Sequence, residues 1–368
     1  MCGPGDPEGF LYRGKRRSDG TRDGDQLKLI EKLAPTGANS IYLIAIRSHG
    51  GDGDKTQNPF INSDPERGLS EPILSQWGHW FDEMDRHGIV IFFIFYDDSA
   101  RIWDTGDRVE DPERDLLHAL VERFEHYQHL IWVIAEEYQE RYSPERIQEL
   151  AAEVRKADSF DHPIAVHKLH GVDFRDFDDD PNIDQFAIQY NAKTAEELHD
   201  GVLKAWDKAD GGFNLNLAEA NDWGNGAESR SKMWGVAMAG AFVMVYGMDI
   251  RNTAVTDLED CGRLVRFMES TSFDRMSPHD ELGLGDTQYV LADPGRSYIA
   301  YAHSGQGNLG LRRLPPGQYR LHWLNVRTGL EYAHDHRQAQ PGDGLWPRPQ
   351  GIGSEVAVYL RRLNAGSQ

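Results

Sequence analysis

Between residues 9 and 247 the chain alternates short apolar runs with longer segments whose apolar positions recur at helical spacing. This is the pattern of repeated βα units around a parallel sheet. Eight runs stand out: 9–13 (GFLYR), 40–46 (SIYLIAI), 89–95 (IVIFFIF), 130–135 (LIWVIA), 163–168 (PIAVHK), 185–189 (QFAIQ), 213–218 (FNLNLA) and 241–247 (AFVMVYG). Their near-continuous hydrophobicity suits strands covered on both faces. Between the second and third, Ile73, Trp77, Trp80, Phe81 and Met84 share one helical face as core packing, and Gly88 follows as a stop. Asp111 and Ser143 precede prolines placed for a first helical position, Pro112 and Pro144, and Thr194 with Glu197 spells a capping box. The connection after the fifth run, FRDFDDDPN, carries no helical pattern, and the eighth helix is expected near residues 258–271.

Past Ser272 the period changes. TQYVLA, SYIAYAH, GQYRLHWLNV and SEVAVYL are short strand-like runs separated by Gly and Pro, as in a small antiparallel β-sandwich. The expected fold class is therefore α/β: a (β/α)8 TIM barrel over residues 1–272, followed by a C-terminal β domain over 273–368. The length of 368 residues agrees, because such a barrel takes about 250.

Charge narrows the function classes. With 39 Lys and Arg against 60 Asp and Glu, the net charge of −21 repels nucleic acid and anionic membrane surfaces, so neither is an expected partner. Cys2 and Cys261 are the only cysteines, too few for a disulfide scaffold or a cysteine-based zinc site, and at most one bridge is open to them. The start, MCGPGDPEGF, lacks a basic and then apolar signal region, and no stretch reaches the roughly 18 apolar residues of a membrane span. The chain is expected to be soluble, with its compartment and oligomeric state left open.

In a barrel of this type the chemistry lies past the carboxyl ends of the strands. Those positions are acidic and aromatic here. Arg47 and His49 follow the second run; Asp97 and Asp98 the third, with Trp103 beyond; Glu136 and Glu137 the fourth. His167 and His170 end the fifth, Tyr190 follows the sixth, Glu219, Asn221 and Trp223 the seventh, and Tyr246 closes the eighth. Carboxylates beside aromatic rings suit a sugar, whose hydroxyls take hydrogen bonds while its apolar face stacks. Glutamates ending strands four and seven stand on opposite sides of the mouth, so one can protonate a glycosidic oxygen while the other attacks the anomeric carbon.

The stretches IWVIAEEYQE and NLNLAEANDW resemble clan A of the retaining glycoside hydrolases, most closely its cellulase-like and apiosidase-like barrels. ADPGRSYIAYAHSG and GQYRLHWLNVRTG resemble the small β domain that follows those barrels, which is called collagen-binding-like by analogy only. The resemblance implies a retaining hydrolase of a β-linked saccharide, with Glu137 as acid/base and Glu219 as nucleophile. It further implies Tyr190 as a hydrogen-bond partner of Glu219 and Arg47 as a contact near the sugar. Two positions depart from the clan pattern. Glu136 stands where Asn is usual, which leaves Glu136 as an alternative acid, and Tyr246-Gly247 ends the eighth run where Trp is common, which passes the platform role to Trp223 or Trp103.

No metal or cofactor is expected. His49, His167 and His170 are read as contacts to substrate or to a carboxylate, and the acidic stretch GGDGDKTQN as a loop rimming the site, since it lacks the spacing of a calcium loop. Two other readings stay open: a barrel that binds carbohydrate without turnover, and an inverting enzyme or lyase using acids such as Asp98.

Overall fold

The computed structural model describes residues 1–6 and 9–363; residues 7–8 and 364–368, the latter the tail of the expected β domain, lie outside the described residues. Eight parallel strands form one sheet. They are β1 (Cys2–Gly5), β2 (Ser40–Ile46), β3 (Val90–Tyr96), β4 (Leu130–Ala135), β5 (Ile164–Lys168), β6 (Gln185–Gln189), β7 (Asn214–Glu219) and β8 (Ala241–Asp249). The ladder runs β1-β8-β7-β6-β5-β4-β3-β2. Asn39 spans the remaining seam: its N–H donates to the Cys2 carbonyl at 2.9 Å, and its Oδ1 accepts from the Cys2 N–H at 2.9 Å. Gly3 permits this approach, because a Cβ there would lie 2.3 Å from Ser40 Oγ.

The first strand is a correction. The run at 9–13 forms a 3-10 turn, Phe10–Tyr12, whose rings pack edge-on against Trp80 and Trp77 at 6.1 and 6.0 Å. Its apolar character serves the core outside the barrel, while the true first strand, CGPG, is made of small residues and Pro and shows no hydrophobic run.

Helices α1 (Gln26–Leu33), α2 (Glu71–Arg86), α3 (Asp111–Phe124), α4 (Pro144–Ala157), α5 (Ala195–Ala209), α6 (Gly226–Met238) and α7 (Val255–Glu269) accompany the strands. Between β5 and β6 only a 3-10 turn, Arg175–Phe177, replaces a helix. Thr194 and Glu197 form the expected capping box on α5, and the Ser143 side chain caps α4. Asp111 is not a cap: α3 begins at Asp111 itself, after Glu110. The barrel interior is filled by Tyr42, Ile44, Phe92, Ile94, Val133, Met244 and the small Ala165, Ala187 and Ala218, so it is a packed core rather than a channel. Among the described residues no helix is long and apolar enough to cross a membrane.

The C-terminal region is antiparallel. Strands β9 (Ser277–Pro278), β10 (Gly283–Gly285), β11 (Tyr289–Asp293), β12 (Ser297–Ala302), β13 (Leu309–Leu314), β14 (Gly317–Asn325), β15 (Glu331–Ala339), β16 (Gly342–Trp346) and β17 (Val356–Arg362) form two sheets. One has six strands in the order β9-β11-β12-β17-β14-β15, the other three in the order β10-β13-β16. Trp323, Tyr319, Trp346 and Leu360 lie in the core shared by the two sheets. The other side of the larger sheet meets the barrel, where Tyr301 stacks on Trp234 of α6 at 5.0 Å.

One irregularity positions the site. Along β3 and β4 the interior residues alternate as far as Ile94 and Val133, and then the alternation slips. Tyr96 turns outward, its hydroxyl donating to Glu113 of α3 at 2.9 Å, and Asp97 turns inward to Arg47. In the same way Ala135 joins the outer core and Glu136 turns inward to Tyr42.

Candidate active site

The floor of the mouth is a buried polar cluster. Glu136, only 5 % exposed, accepts from the Tyr42 hydroxyl at 2.7 Å and hydrogen-bonds through its carboxyl group to Asp97. Two carboxyl groups can share such a bond only with a proton between them. Asp97 already receives the Arg47 Nε–H at 3.3 Å and the backbone N–H groups of Asp52 at 3.0 Å and Asp98 at 3.2 Å. The shared proton therefore sits on Glu136. Burial, followed by the Asp97 carboxylate, pushes Glu136 well above the usual carboxylate range. Burial does the same to Tyr42, whose phenol stays protonated. The glycine-rich loop after β2 supports this floor: a Cβ on Gly51 would come within 2.7 Å of Asp97 Cβ, so only glycine lets the loop close on the Arg47–Asp97 pair.

Above the floor stand Glu137 and Glu219. Glu137 has φ 40° and ψ 45°, the left-handed region that costs a non-glycine residue about 1 kcal/mol. Its N–H donates to His167 Nδ1 at 3.2 Å, which helps to hold it there. The side chain of Gln189, the last residue of β6, hydrogen-bonds to both Glu137 and Glu219 and favours their charged forms. The two glutamates differ in proton affinity. Burial first, then the Glu219 charge, pushes Glu137 up to about 7. Glu219 is raised by burial and held down by Gln189. Asp98 is pushed up to about 6 by burial and by the carboxylates of Asp97, Asp52 and Glu140.

His167 is fully buried, and burial pushes its imidazole down to about 3, so the ring is neutral in ordinary buffers. Because Nδ1 accepts the Glu137 N–H, the ring proton sits on Nε2. Oxygens of Glu136 and Glu219 lie within 4.8 Å of a His167 ring nitrogen and of each other, as do those of Asp98, Glu137 and Glu140 among themselves. A cation at the first group would need the Nε2 lone pair, and in this tautomer Nε2 is a donor, the wrong polarity for a metal ligand.

Several expected site residues have other roles. The Tyr190 ring packs on α5, 2.2 Å from where a Cβ on Gly201 would lie, and its contact with Glu219 is a backbone N–H to carbonyl bond at 3.1 Å. The hydrogen-bond role expected of Tyr190 belongs to Gln189, one residue earlier, whose side chain points inward. Trp223 is 4 % exposed with its Nε1–H donating to Ser229 at 2.9 Å, so it is core rather than a platform. Trp103 and His49 both pack edge-on against Phe60 at 6.5 Å, forming an aromatic group on the rim. Tyr246 lies on Tyr42 at 4.8 Å and is pushed up by burial and by Glu136. His170 and Asn221 are exposed at loop positions, where their backbone N–H groups bond to Gln139 and Asn191. Tyr42 and Gln189 were not among the candidates; the inward period of β2 and β6 is the signal that marks them. A surface cleft of about 1430 Å³ lies between the end of α7 and the C-terminal sheet and contains none of these residues.

A (β/α)8 barrel with paired carboxylates at the carboxyl ends of β4 and β7 is thus the architecture present. No family model matches the sequence, and no curated protein does. Solved structures share the fold. A glycoside hydrolase family 5 protein from Bacteroides vulgatus ATCC 8482 superposes with a TM-score of 0.66 at 13 % identity, over 98 % of this chain and 90 % of its own. Another, named simply a glycoside hydrolase, gives 0.67 at 12 % identity over 100 % and 94 %. An Anoxybacillus α-amylase gives 0.55 at 12 % identity over 98 % and 95 %. At these identities the likeness is one of fold, covering the barrel and the C-terminal β region together.

Proposed function

We propose that the protein is a glycoside hydrolase that cleaves a β-linked saccharide with retention of configuration, using Glu137 as acid/base and Glu219 as nucleophile. The observation that carries this reading is a pair of carboxyl groups joined by one amide, Gln189: burial raises both and Gln189 holds both down, but Glu137 alone is also raised by its partner's charge, up to about 7. A carboxyl group that keeps its proton up to about 7 beside the charge of a second one is what an acid and a nucleophile need at one pH. Glu219 attacks the anomeric carbon as Glu137 gives its proton to the leaving oxygen. The resulting ester removes the Glu219 charge, so the proton affinity of Glu137 falls, and Glu137 then takes a proton from the water that hydrolyses the ester. Glu136 is a poor acid for this step, since its proton is committed to Asp97. Direct attack requires the carboxyl groups of Glu137 and Glu219 about 5 to 5.5 Å apart in the working enzyme.

The test is turnover of a panel of aryl β-glycosides, with the first-released anomer followed by NMR. Glu219→Gln is expected to abolish hydrolysis of every substrate. Glu137→Ala should spare the first step for good leaving groups and yield a β-glycosyl azide when azide is added. An inverted product, or an active Glu219→Gln enzyme, overturns the assignment; binding of sugars by a wild type that turns none over would favour a carbohydrate-binding barrel instead.

A further inference from the structure

Glu136 stands where an amide would be expected to hold the substrate hydroxyl beside the reacting carbon, and its hydrogen-bonding capacity is spent on Tyr42 and Asp97. One donor at the floor is unspent. His167 Nε2 is buried with no partner, in a ring 0 % exposed. A buried N–H left unpaired costs about 1 to 3 kcal/mol, so a native site retains one only where something else completes it. The ring cannot turn to escape this, because Nδ1 accepts the Glu137 N–H at 3.2 Å. A carboxylate oxygen of Glu219 lies within 4.8 Å of the imidazole, and so does one of Glu136.

We infer that His167 is a specificity-determining residue whose Nε2–H binds the hydroxyl on the carbon next to the anomeric carbon, so that the enzyme selects sugars that carry a free hydroxyl there. This rests on the reading of Glu219 as nucleophile. When Glu219 attacks the anomeric carbon, the oxygen on the adjacent carbon is the substrate hydroxyl nearest to it, and the imidazole, with a ring nitrogen within 4.8 Å of a Glu219 oxygen, is placed to reach that hydroxyl. Glu136, being neutral, adds no third negative charge beside the nucleophile, and the hydroxyl can donate a hydrogen bond to the Glu219 carboxylate while keeping its proton. The contact strengthens as the neighbouring carbon becomes positive, so it acts on kcat/KM rather than on binding alone.

Two substitutions divide the ring. In His167→Asn the side-chain amide replaces Nδ1 and still serves the Glu137 N–H, but it ends short of Nε2. In His167→Gln the amide nitrogen reaches the place of Nε2. The quantity to measure is the ratio of kcat/KM for an aryl β-glycoside to that for its 2-deoxy analogue, in wild type and both variants, since damage to the fold lowers both terms and leaves their ratio alone. The expected result is a ratio of about 100 in the wild type, a fall of about 30-fold in His167→Asn, and a ratio within about threefold of wild type in His167→Gln. An unchanged ratio in His167→Asn overturns the inference while leaving the glycosidase reading intact. A wild type without turnover of any glycoside overturns both.

Discussion

Glu137 concentrates the cost of the site in one residue. It holds a left-handed backbone, loses solvation, and faces the charge of Glu219. Two pH effects follow. For activity, kcat/KM should rise as Glu219 ionises, at a pH above the ordinary carboxylate range because burial raises it, and should fall as pH climbs through about 7, where Glu137 loses its proton. For stability, a folded-state value of about 7 against an ordinary 4.5 means that the protonated form favours folding. That contribution is full below about 4.5 and is lost as pH rises through about 7. Replacing Glu137 by Gln should therefore stabilise the protein at pH 8 by about 1 kcal/mol, discounted for the partial exposure of the group, and should change little at pH 4. Urea denaturation at the two pH values checks this; equal gains at both would contradict the pKa argument. Arg47 is the other decisive residue, because Asp97 is 1 % exposed and Arg47 is the cation paired with it. Arg47→Met should cost about 3 kcal/mol by leaving a buried carboxylate unpaired, and the same denaturation experiment reads it.

At the scale of elements, the seam between β1 and β2 is the weak point of the barrel, since Asn39 spans it with both its backbone and its side chain. Gly3→Ala should force the strands apart, with Ser40 Oγ and the Ser40 carbonyl 2.3 and 2.5 Å from the added carbon. A loss of about 2 to 3 kcal/mol in urea unfolding is expected, and a loss under 0.5 would show that the seam can shift at little cost. Cys2 and Cys261 are free and buried beside this seam, and each thiol donates to Met233 Sδ, at 3.9 and 3.5 Å. The slips at the ends of β3 and β4 matter more for function. Each turns the first acidic residue of its pair inward in place of the second, so Asp97 and Glu136 form the floor while Asp98 and Glu137 are left on the rim.

In the whole molecule the C-terminal region acts as a buttress to α6. Arg230 pairs with Asp260 of α7 at 3.0 Å and with Glu355 of the C-terminal region at 2.6 Å, and Trp234 lies under Tyr301. His199 of α5 meets Asp280 at 2.7 Å and stacks on Tyr289 at 3.6 Å. These contacts lie outside the mouth, so the β region is expected to support the barrel and not to bind collagen. Arg230→Ala should lower stability by about 3 kcal/mol, because Asp260 is left buried without this partner, while kcat/KM at a temperature well below the melting point stays within about twofold. Removing residues 277–363 should expose Trp234 and the facing helices and yield an aggregating barrel. A soluble, folded barrel after that deletion would remove the buttress from the account.

How much was legible follows from what each signal depends on. Seven of the eight barrel strands, the helices between them, the missing fifth helix and the change to an antiparallel region depend on local period and composition, and these could be read along the chain. So could the placing of Glu137 and Glu219 at the ends of β4 and β7, since strand ends are local too. The first strand could not, because CGPG is held by its contact with Ser40 and Asn39 and has no hydrophobic run of its own. In the pairs Asp97-Asp98, Glu136-Glu137 and Gln189-Tyr190, composition puts both members in reach of the site. Which one faces inward depends on the slips of β3 and β4 and on the fit of the Tyr190 ring against Gly201, and these are settled by packing between elements. The sequence by itself thus determined the barrel and the strand ends that carry its acids. Only the tertiary structure decided which side chains meet, which of two carboxyl groups holds a proton, and that a buried donor, His167 Nε2, is left without a partner in a ring close to Glu219.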